Sequence, residues 1–533
     1  MKAVKIVWMD VLVVLLVLLF VVAGKGDRLQ VSEVVLYETL LTVIVYFAAR
    51  FVFTLSPRLV TAVLIISVSI ICLYESGLGI LQIFGVYRSN HSLYSCTGSF
   101  INPGPYGGFL AICVSILGIY AFSKSPVVIR YLAGFSSAVA LAVLPLTQSR
   151  AAIVGLLVAA IFAAFLSPKS RDILNKYKLV ISLSVVLFLT MAYIYKKPSA
   201  DGRLLIDRIS IKAMTNNGFR GAGLGCFCGS YGEAQFQFFK DKIGSVSEIQ
   251  NLSALKEGER MTADIPEYAF NEILRVGVEA GPIAMIIFIS LFLVGIVYSV
   301  RERTVWCYGL VAYVTFSLFS YPLSVSYLRL MLAVLLAGSC VIERRVIKWS
   351  DLVPVFTVLL CLTIKTIMMH PQAVERKEAT AIWEESKRWQ EIKYYEMLKY
   401  SCDTIYDRMT HNSKYLFAYG QSLNKIEEFD KSDSVLKLGT QISSDPMFWN
   451  VMGNNSLAKG LYSEAEERYL HAFFMVPNRL YPLCLLTKLY YVEGDYEKAR
   501  MMAKTVMEFK PKVESNRTES LRKEIYDLLE NIP

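Results

Sequence analysis

The chain has 533 residues, 54% of them hydrophobic and 19% charged, with a mean hydropathy of +0.44. The apolar residues gather into blocks long enough to cross a bilayer core of ~30 Å, which excludes a water-soluble enzyme and defines an integral membrane protein. The formal net charge of +10 comes from Lys and Arg in the stretches between those blocks, so no nucleic-acid partner is expected.

In chain order, eleven spans are predicted, near residues 4–24, 34–55, 59–83, 107–123, 126–146, 151–167, 177–195, 272–299, 304–322, 326–342 and 351–369. The first runs past twenty residues without a clear small-x-small cleavage site and more spans follow, so it reads as a retained span rather than a signal peptide. Every second loop is basic: Lys2 and Lys5, Arg50 and Arg58, Lys124 and Arg130, "SPKSRDILNKYK" from 167, Arg301 and Arg303, then Arg344, Arg345 and Lys348. Because basic loops stay in the cytoplasm, the N-terminus is expected inside and the loops 86–106, 147–150, 196–267 and 323–325 outside. An odd number of spans then puts everything after residue 370 outside too. The expected fold class is all-α: a polytopic transmembrane helical bundle over residues 1–369 with a large external loop at 196–267, followed by a soluble helical domain over 370–533.

The soluble part repeats. "WNVMGNNSLAKGLYSEAEERYLHAFFMVPN" carries Trp449, Gly453, Ala465, Tyr469, Ala472 and Pro477 at the offsets of a tetratricopeptide repeat, where small residues let two helices pack closely and Pro ends the second. Residues 483 to 511 repeat the pattern at a period of 34 with Tyr490, Ala499 and Pro511, and 413 to 446 match it weakly through Gly420. Such arrays offer a groove for a protein partner, or serve as a rigid cap over the membrane domain; the repeat pattern fits both.

Of ten cysteines, Cys72, Cys113, Cys307, Cys340 and Cys361 lie in spans as small core residues, while Cys96, Cys226 and Cys228 lie outside, where disulfides are permitted. A Cys-x-Cys pair without a nearby histidine is a poor metal signal, so no metal is expected. A bridge from Cys96 to one of the others stays open.

Four external polar segments stand out: "TGSFINPGPYGGFLA" from 97, "TQSRAA" from 147, "DRISIKAMTNNGFRGAGLGCFCGSYGEAQF" from 207 and "YAFNEILRVGVEAGPIAMIIFISLFLVG" from 268. In this order they resemble the landmarks of the O-antigen ligase and polymerase family, which also includes bacterial O-linked oligosaccharyltransferases; the resemblance covers about residues 90 to 340. It implies glycosyl transfer at the outer face of the bacterial inner membrane, without a cofactor. The donor would be a glycan on undecaprenyl pyrophosphate and the acceptor a hydroxyl on lipid A core, on another glycan or on a protein.

That chemistry dictates residue types. A pyrophosphate leaving group wants guanidinium groups, which hold phosphate oxygens in pairs and keep their charge. Arg150, at the outer end of a span, is the first candidate, with an interfacial anchor as its alternative; Arg208 and Arg220 come next. The cluster Gly221, Gly223 and Gly225 either brings backbone amides to phosphate or makes a tight turn. Asn102, before Pro103, reads as a turn residue or a sugar contact.

The acceptor must also lose a proton. Relatives carry a histidine just before the Asn of the fourth segment, and here that position is Phe270; His91, His370, His411 and His471 lie elsewhere. A carboxylate is the substitute, from Glu267, Glu272 or Asp264, with Glu272 first and Tyr268 as a hydrogen-bonding partner. Asn271 and Arg275 join it as substrate contacts. Yet Glu272, Arg275 and Glu279 share one helical face and also read as a structural ion-pair ladder, with Glu279 positioning Arg275. Asp10, Glu38 and Glu75 are acids in or near other spans without a spacing that groups them. Two rival classes remain: a transporter, which should show matching inverted halves that are not seen, and a non-catalytic scaffold for surface-polysaccharide assembly working through its repeats.

Overall fold

The structure, a computed structural model, describes residues 8–24, 29–244, 257–340 and 349–530. Lys2, Lys5, Arg344, Arg345 and Lys348, which enter the loop-charge alternation, lie outside the described residues. Among the described residues all regular structure is helical.

Helix α1 (Trp8–Ala23) is followed by α2 (Val31–Leu55) and α3 (Pro57–Ile83). Pro57 at the first turn of α3 has no N–H to contribute, so α2 ends and the chain restarts as a new helix within two residues. Next come α4 (Pro103–Tyr120), α5 (Val127–Val143) with a 3₁₀ turn to Thr147, α6 (Arg150–Leu166), α7 (Pro168–Lys176) and α8 (Lys178–Tyr195). Helix α4 is the centre of the bundle: it is buried from Pro103 through Leu117 and packs against α3, α5 and α6. Close approach is possible because Gly108 lacks a Cβ, which would stand 2.4 Å from the ring of Phe316.

Between α8 and the next apolar helix lie α9 (Lys197–Asn217), α10 (Phe227–Ile243) and α11 (Glu257–Thr262). They are followed by α12 (Glu272–Arg301), α13 (Trp306–Ser317), α14 (Ser326–Ser339) and α15 (Trp349–Glu391). All eleven apolar blocks fall on helices. Among the described residues six helices are long and apolar enough to cross a membrane: α2, α3, α4, α5 with its 3₁₀ extension, α12 and the Phe356–Glu391 part of α15. Four further apolar helices are shorter, namely α1, α6, the Lys178–Leu187 part of α8, and α14. The block at 304–322 forms only the twelve residues of α13, about 18 Å of helix and less than the bilayer core. Its Trp306, Tyr313 and Phe316 are buried in protein. The chain is thus a multi-pass helical membrane protein.

Helix α12 is broken. Gly281 has φ +86 and ψ 168, and Pro282 follows. Proline has no N–H for the helical bond and the turn at Gly281 forfeits the next one, so the carbonyls of Val278 and Glu279 lose their intrahelical partners. The glycine-rich turn supplies substitutes: Ala222 N–H donates to Val278 O at 2.8 Å and Gly223 N–H to Glu279 O at 3.0 Å. Pro282 to Arg301 alone suffice to cross a bilayer. The charged first turns therefore form a separate half-helix among α9, α10 and the glycine-rich turn, where partners from protein replace water.

Helix α15 runs 43 residues from apolar into charged sequence, so the compositional boundary at 369/370 falls inside one helix. After it come α16 (Tyr395–Met409), then the pairs α17 (Ser413–Lys425) and α18 (Phe429–Thr440), α19 (Met447–Ala458) and α20 (Tyr462–Met475), α21 (Tyr481–Glu493) and α22 (Tyr496–Glu508), and last α23 (Asn516–Glu530). The pairs start at 413, 447 and 481, a step of 34 residues each time. A Cβ on Gly453 would lie 2.3 Å from the Tyr469 ring and one on Gly420 2.5 Å from Leu436, which is why small residues recur at these positions.

Helices α10 and α11 fold as one body with the helix pairs. Phe227, Tyr231 and Phe239 of α10 share a core with Tyr469, Phe473 and Leu486. Gly229 lets α10 lie directly on the chain before α19, where a Cβ would be 2.0 Å from Gln441 O. Gln235 donates to Met475 O at 2.6 Å, and Arg260 donates to the carbonyls of Pro477 and Lys510 at 3.3 and 3.0 Å.

Candidate functional site

The segments read as external converge at one end of the bundle. Loop 97–100 is pinned from α3: Glu75 accepts from Ser99 N–H at 2.9 Å and Ser99 Oγ at 2.6 Å, while Gln82 accepts from the N–H groups of Thr97 and Gly98 at 2.9 and 2.8 Å. Phe100 meets Tyr327 edge to face at 5.9 Å, which brings the start of α14 to the same place. Ser149 Oγ donates to Gly104 O at 3.3 Å, joining the start of α6 to that of α4.

Arg150 is the first residue of α6. A helix N-terminus carries positive partial charge and favours anions, and the Arg150 guanidinium adds to that field. A second one stands beside it. Arg150 Nη2 donates to Ser199 Oγ of α9 at 3.2 Å, and burial together with the Arg150 charge pulls the Arg203 guanidinium below its usual pKa. Arg203 also lies over the Phe270 ring at 5.1 Å. Phe270 has φ +53, a left-handed conformation that bulky residues rarely adopt.

One helical turn beyond Arg203 is Asp207. Burial pushes its carboxyl up to about 6, against the opposing pull of the Asn271 side-chain hydrogen bond and the Arg203 charge. Asn271 caps α12, its Oδ1 accepting Leu274 N–H at 3.3 Å, so its amide is left to face Asp207. Tyr321 stacks on Tyr268 at 3.9 Å and meets Phe270 edge-on at 5.6 Å, closing one side of the site. The result is two guanidiniums near enough to feel each other's charge, with a carboxyl raised to about 6 next to them.

The candidates read from the sequence divide around this cluster. Arg150 and Asn271 are in it. Glu272 is 1% exposed; its Oε1 accepts Leu323 N–H at 2.8 Å and its Oε2 lies 2.7 Å from Arg275 Nε. Arg275 reaches on to Ser324 Oγ at 3.2 Å, so the pair fastens the start of α12 to the 3₁₀ turn Pro322–Ser324. The Glu279 carboxylate accepts the N–H groups of Gly225 and Phe227 and holds the first turn of α10. The amide of Gly223 is turned toward α12 rather than toward a ligand. Asn102 caps α4 through Gly104 N–H at 2.9 Å.

Arg208 points away from Arg203 on α9 and pairs with Glu259 at 3.1 Å on an exposed face. Arg220 is exposed on the 3₁₀ turn Gly218–Arg220, which packs on α12. Glu267 pairs with Lys414 at 3.6 Å and Asp264 with Lys512 at 2.8 Å. Glu38 pairs with Arg329 at 2.8 Å, and Asp10 with Arg50 at 3.6 Å inside the bundle. All ten cysteines are free. Among the described residues no group of three or more His, Cys, Asp and Glu side chains could hold a metal.

Arg203, Asp207 and Tyr321 escaped the sequence reading. Arg203 and Asp207 stand four apart with opposite charge, a spacing that reads as an ordinary helix-surface pair. What marks them is their meeting with Arg150 and Asn271, which only the fold brings about.

A multi-pass helical bundle with paired guanidiniums at one end is the class of protein that this geometry defines. Residues 135–289 match the family model described as O-antigen ligase, a stretch that contains Arg150, Arg203, Asp207, Asn271 and the break in α12. No curated protein matches the chain. The family match supports a glycosyl-transfer enzyme of membrane polysaccharide assembly.

Proposed function

We propose that the chain moves a glycan from undecaprenyl pyrophosphate to an acceptor hydroxyl at the outer face of a bacterial inner membrane. The observation that carries the reading is the Arg150–Arg203 pair at the head of α6 with Asp207 beside it. The two guanidiniums hold the pyrophosphate of the donor and take up charge as it leaves. The acceptor oxygen bonds to the anomeric carbon while the bond from that carbon to the pyrophosphate oxygen breaks, its electron pair departing with the lipid pyrophosphate. The hydroxyl proton passes to Asp207, whose near-neutral pKa suits a general base. Glu272 is assigned to holding α12, because both of its oxygens are engaged by Leu323 and Arg275.

The basic-loop alternation and the meeting of all four polar segments at one end support an N-terminus in the cytoplasm and a site outside it, with the repeat-like helix pairs also outside. Lipid A core, a growing glycan and a protein each supply the acceptor hydroxyl this site needs.

The test is a transfer assay on purified protein with a lipid-linked glycan donor. Arg203→Lys, which keeps charge but loses the planar fork, stays impaired. Asp207→Asn loses roughly 10²–10⁴-fold in rate. Wild-type turnover in both variants would move the chemistry to other residues, and no transfer by the wild-type protein would hand the function to the scaffold reading, with the helix pairs as a protein-binding array.

A further inference from the structure

Ile265–Tyr268, the outer part of α15, the start of α17 and the chain before α19 enclose a cavity of about 600 Å³. We infer that this cavity binds an oligosaccharide, the distal part of a glycan whose reactive end lies at Arg150, Arg203 and Asp207; the inference rests on the transfer reaction proposed above.

Position comes first. Tyr268 forms part of the wall, and its ring stacks on Tyr321, which meets Phe270, over which Arg203 lies. The cavity is therefore three ring contacts from the guanidinium pair, a span that an extended glycan bridges and a single sugar does not.

The lining fits a polyhydroxylated ligand. Tyr268 and Phe417 offer aromatic surface, and Gln390, Ser413 and Lys414 offer hydrogen-bonding groups. Aromatic rings take the C–H faces of sugars while amide, hydroxyl and ammonium groups meet their hydroxyls. Lys387 and Lys414 are balanced by Glu267 and Asp445, so the cavity has no net field to select pyrophosphate or a polyanion, unlike the guanidinium site. The Ser444 hydroxyl on the same wall is buried and has no hydrogen-bond partner among the described residues, and such a group costs stability when nothing meets it. The volume is within the range of small-ligand sites, about 300–1,000 Å³. Among the described residues every regular element is a helix, so the cavity offers an extended peptide no strand edge to pair with.

The test uses full-length protein in detergent, and as probe the oligosaccharide freed by mild acid from the host's own lipid-linked donor. Its affinity is measured by calorimetry for wild type, for Ser413→Trp, which fills the cavity, and for the double variant Gln390→Ala with Lys414→Ala, which strips polar contacts from its rim. Saturable binding by wild type, lost in Ser413→Trp and weakened at least tenfold in the double variant at unchanged thermal midpoint, supports the inference. No saturable binding by wild type, or an unchanged Kd in both variants, overturns it, as does binding of a peptide acceptor in place of the glycan.

Two further arms keep the readings apart. Arg203→Ala should bind the probe as wild type does while losing transfer; if it still transfers, the role given to Arg203 falls, if wild type does not transfer, the proposed reaction falls, and in either case the binding data judge the cavity alone. In the wild-type transfer assay, competition of the probe against the lipid-linked donor places the donor glycan in the cavity, and competition against the acceptor places an acceptor glycan there.

Discussion

Asp207 and Glu272 are two buried acids near one site, and substitution separates their roles. The Asp207 pKa of about 6 lies above its ordinary 3.8, so the folded state favours the protonated form. Stability from this group is present below pH 4 and is lost as pH rises through 6. Transfer should behave in the opposite way, rising with pH through about 6 as the base becomes available. Asp207→Asn is therefore expected to raise the thermal midpoint at neutral pH while removing the pH-dependent rate, a trade of stability for function; initial rates from about pH 5 to 8 beside melting curves check both. Glu272→Gln keeps an oxygen for Leu323 N–H but loses the charge opposite Arg275, so it should lower the midpoint and leave the shape of the pH–rate profile intact. Arg275→Ala strands the Glu272 charge in the interior and should cost about 3–5 kcal/mol, read as loss of folded protein in detergent. If Glu272→Gln flattens the pH profile instead, Glu272 is the base.

Among the elements, α12 carries the most consequence. Ala at 281 would have to adopt φ +86 with its Cβ 2.1 Å from Phe219 O. Gly281→Ala should therefore cost more than the roughly 1–3 kcal/mol of backbone strain alone and loosen α10 along with α12, which proteolysis between 221 and 243 would reveal. A stable, protease-resistant variant would mean that the break is incidental. The positions of the apolar helices were legible from hydrophobic runs, and the 34-residue step of the C-terminal pairs from Ala465 and Ala499 and from Pro477 and Pro511. The Gly-Pro at 281–282 was visible too. Its effect was not, because the carbonyls it frees are taken by amides some sixty residues earlier, and no local pattern encodes that pairing. Arg203 was hidden for the same reason, since its neighbour Arg150 belongs to a different helix.

At the scale of the whole molecule, the stretch that carries α9 to α11 is no passive loop. Because Phe227, Tyr231 and Phe239 are buried against Tyr469 and Phe473, truncation after Glu391 should expose that face and unravel the region that carries Arg203 and Asp207. The expected result is a membrane domain that inserts but neither transfers glycan nor protects residues 196–243 from protease. An intact, active truncation would show that the helix pairs are dispensable. By composition, which changes abruptly near residue 370, the C-terminal helix pairs and the membrane bundle read as separate domains. Packing joins them, through Gly229 against Gln441 and Arg260 against Pro477, contacts made by residues that carry no periodic signal.

The length of α15 has one more consequence. Its 43 residues amount to about 65 Å of rigid rod, clamped to α2 by His370 on Tyr37 and by Arg376 on Glu33 and joined to α16 at its far end. Such a rod sets both height and phase. One residue inserted after Gln372 would lift everything beyond it by about 1.5 Å and turn it by about 100°, dragging the array out of register with α10. Seven would restore the angle but leave the array about 10 Å too high. The rod and the seat of α10 on α9 and α12 are thus matched, like two legs of one trestle, and the rod cannot be lengthened without a compensating change in that seat.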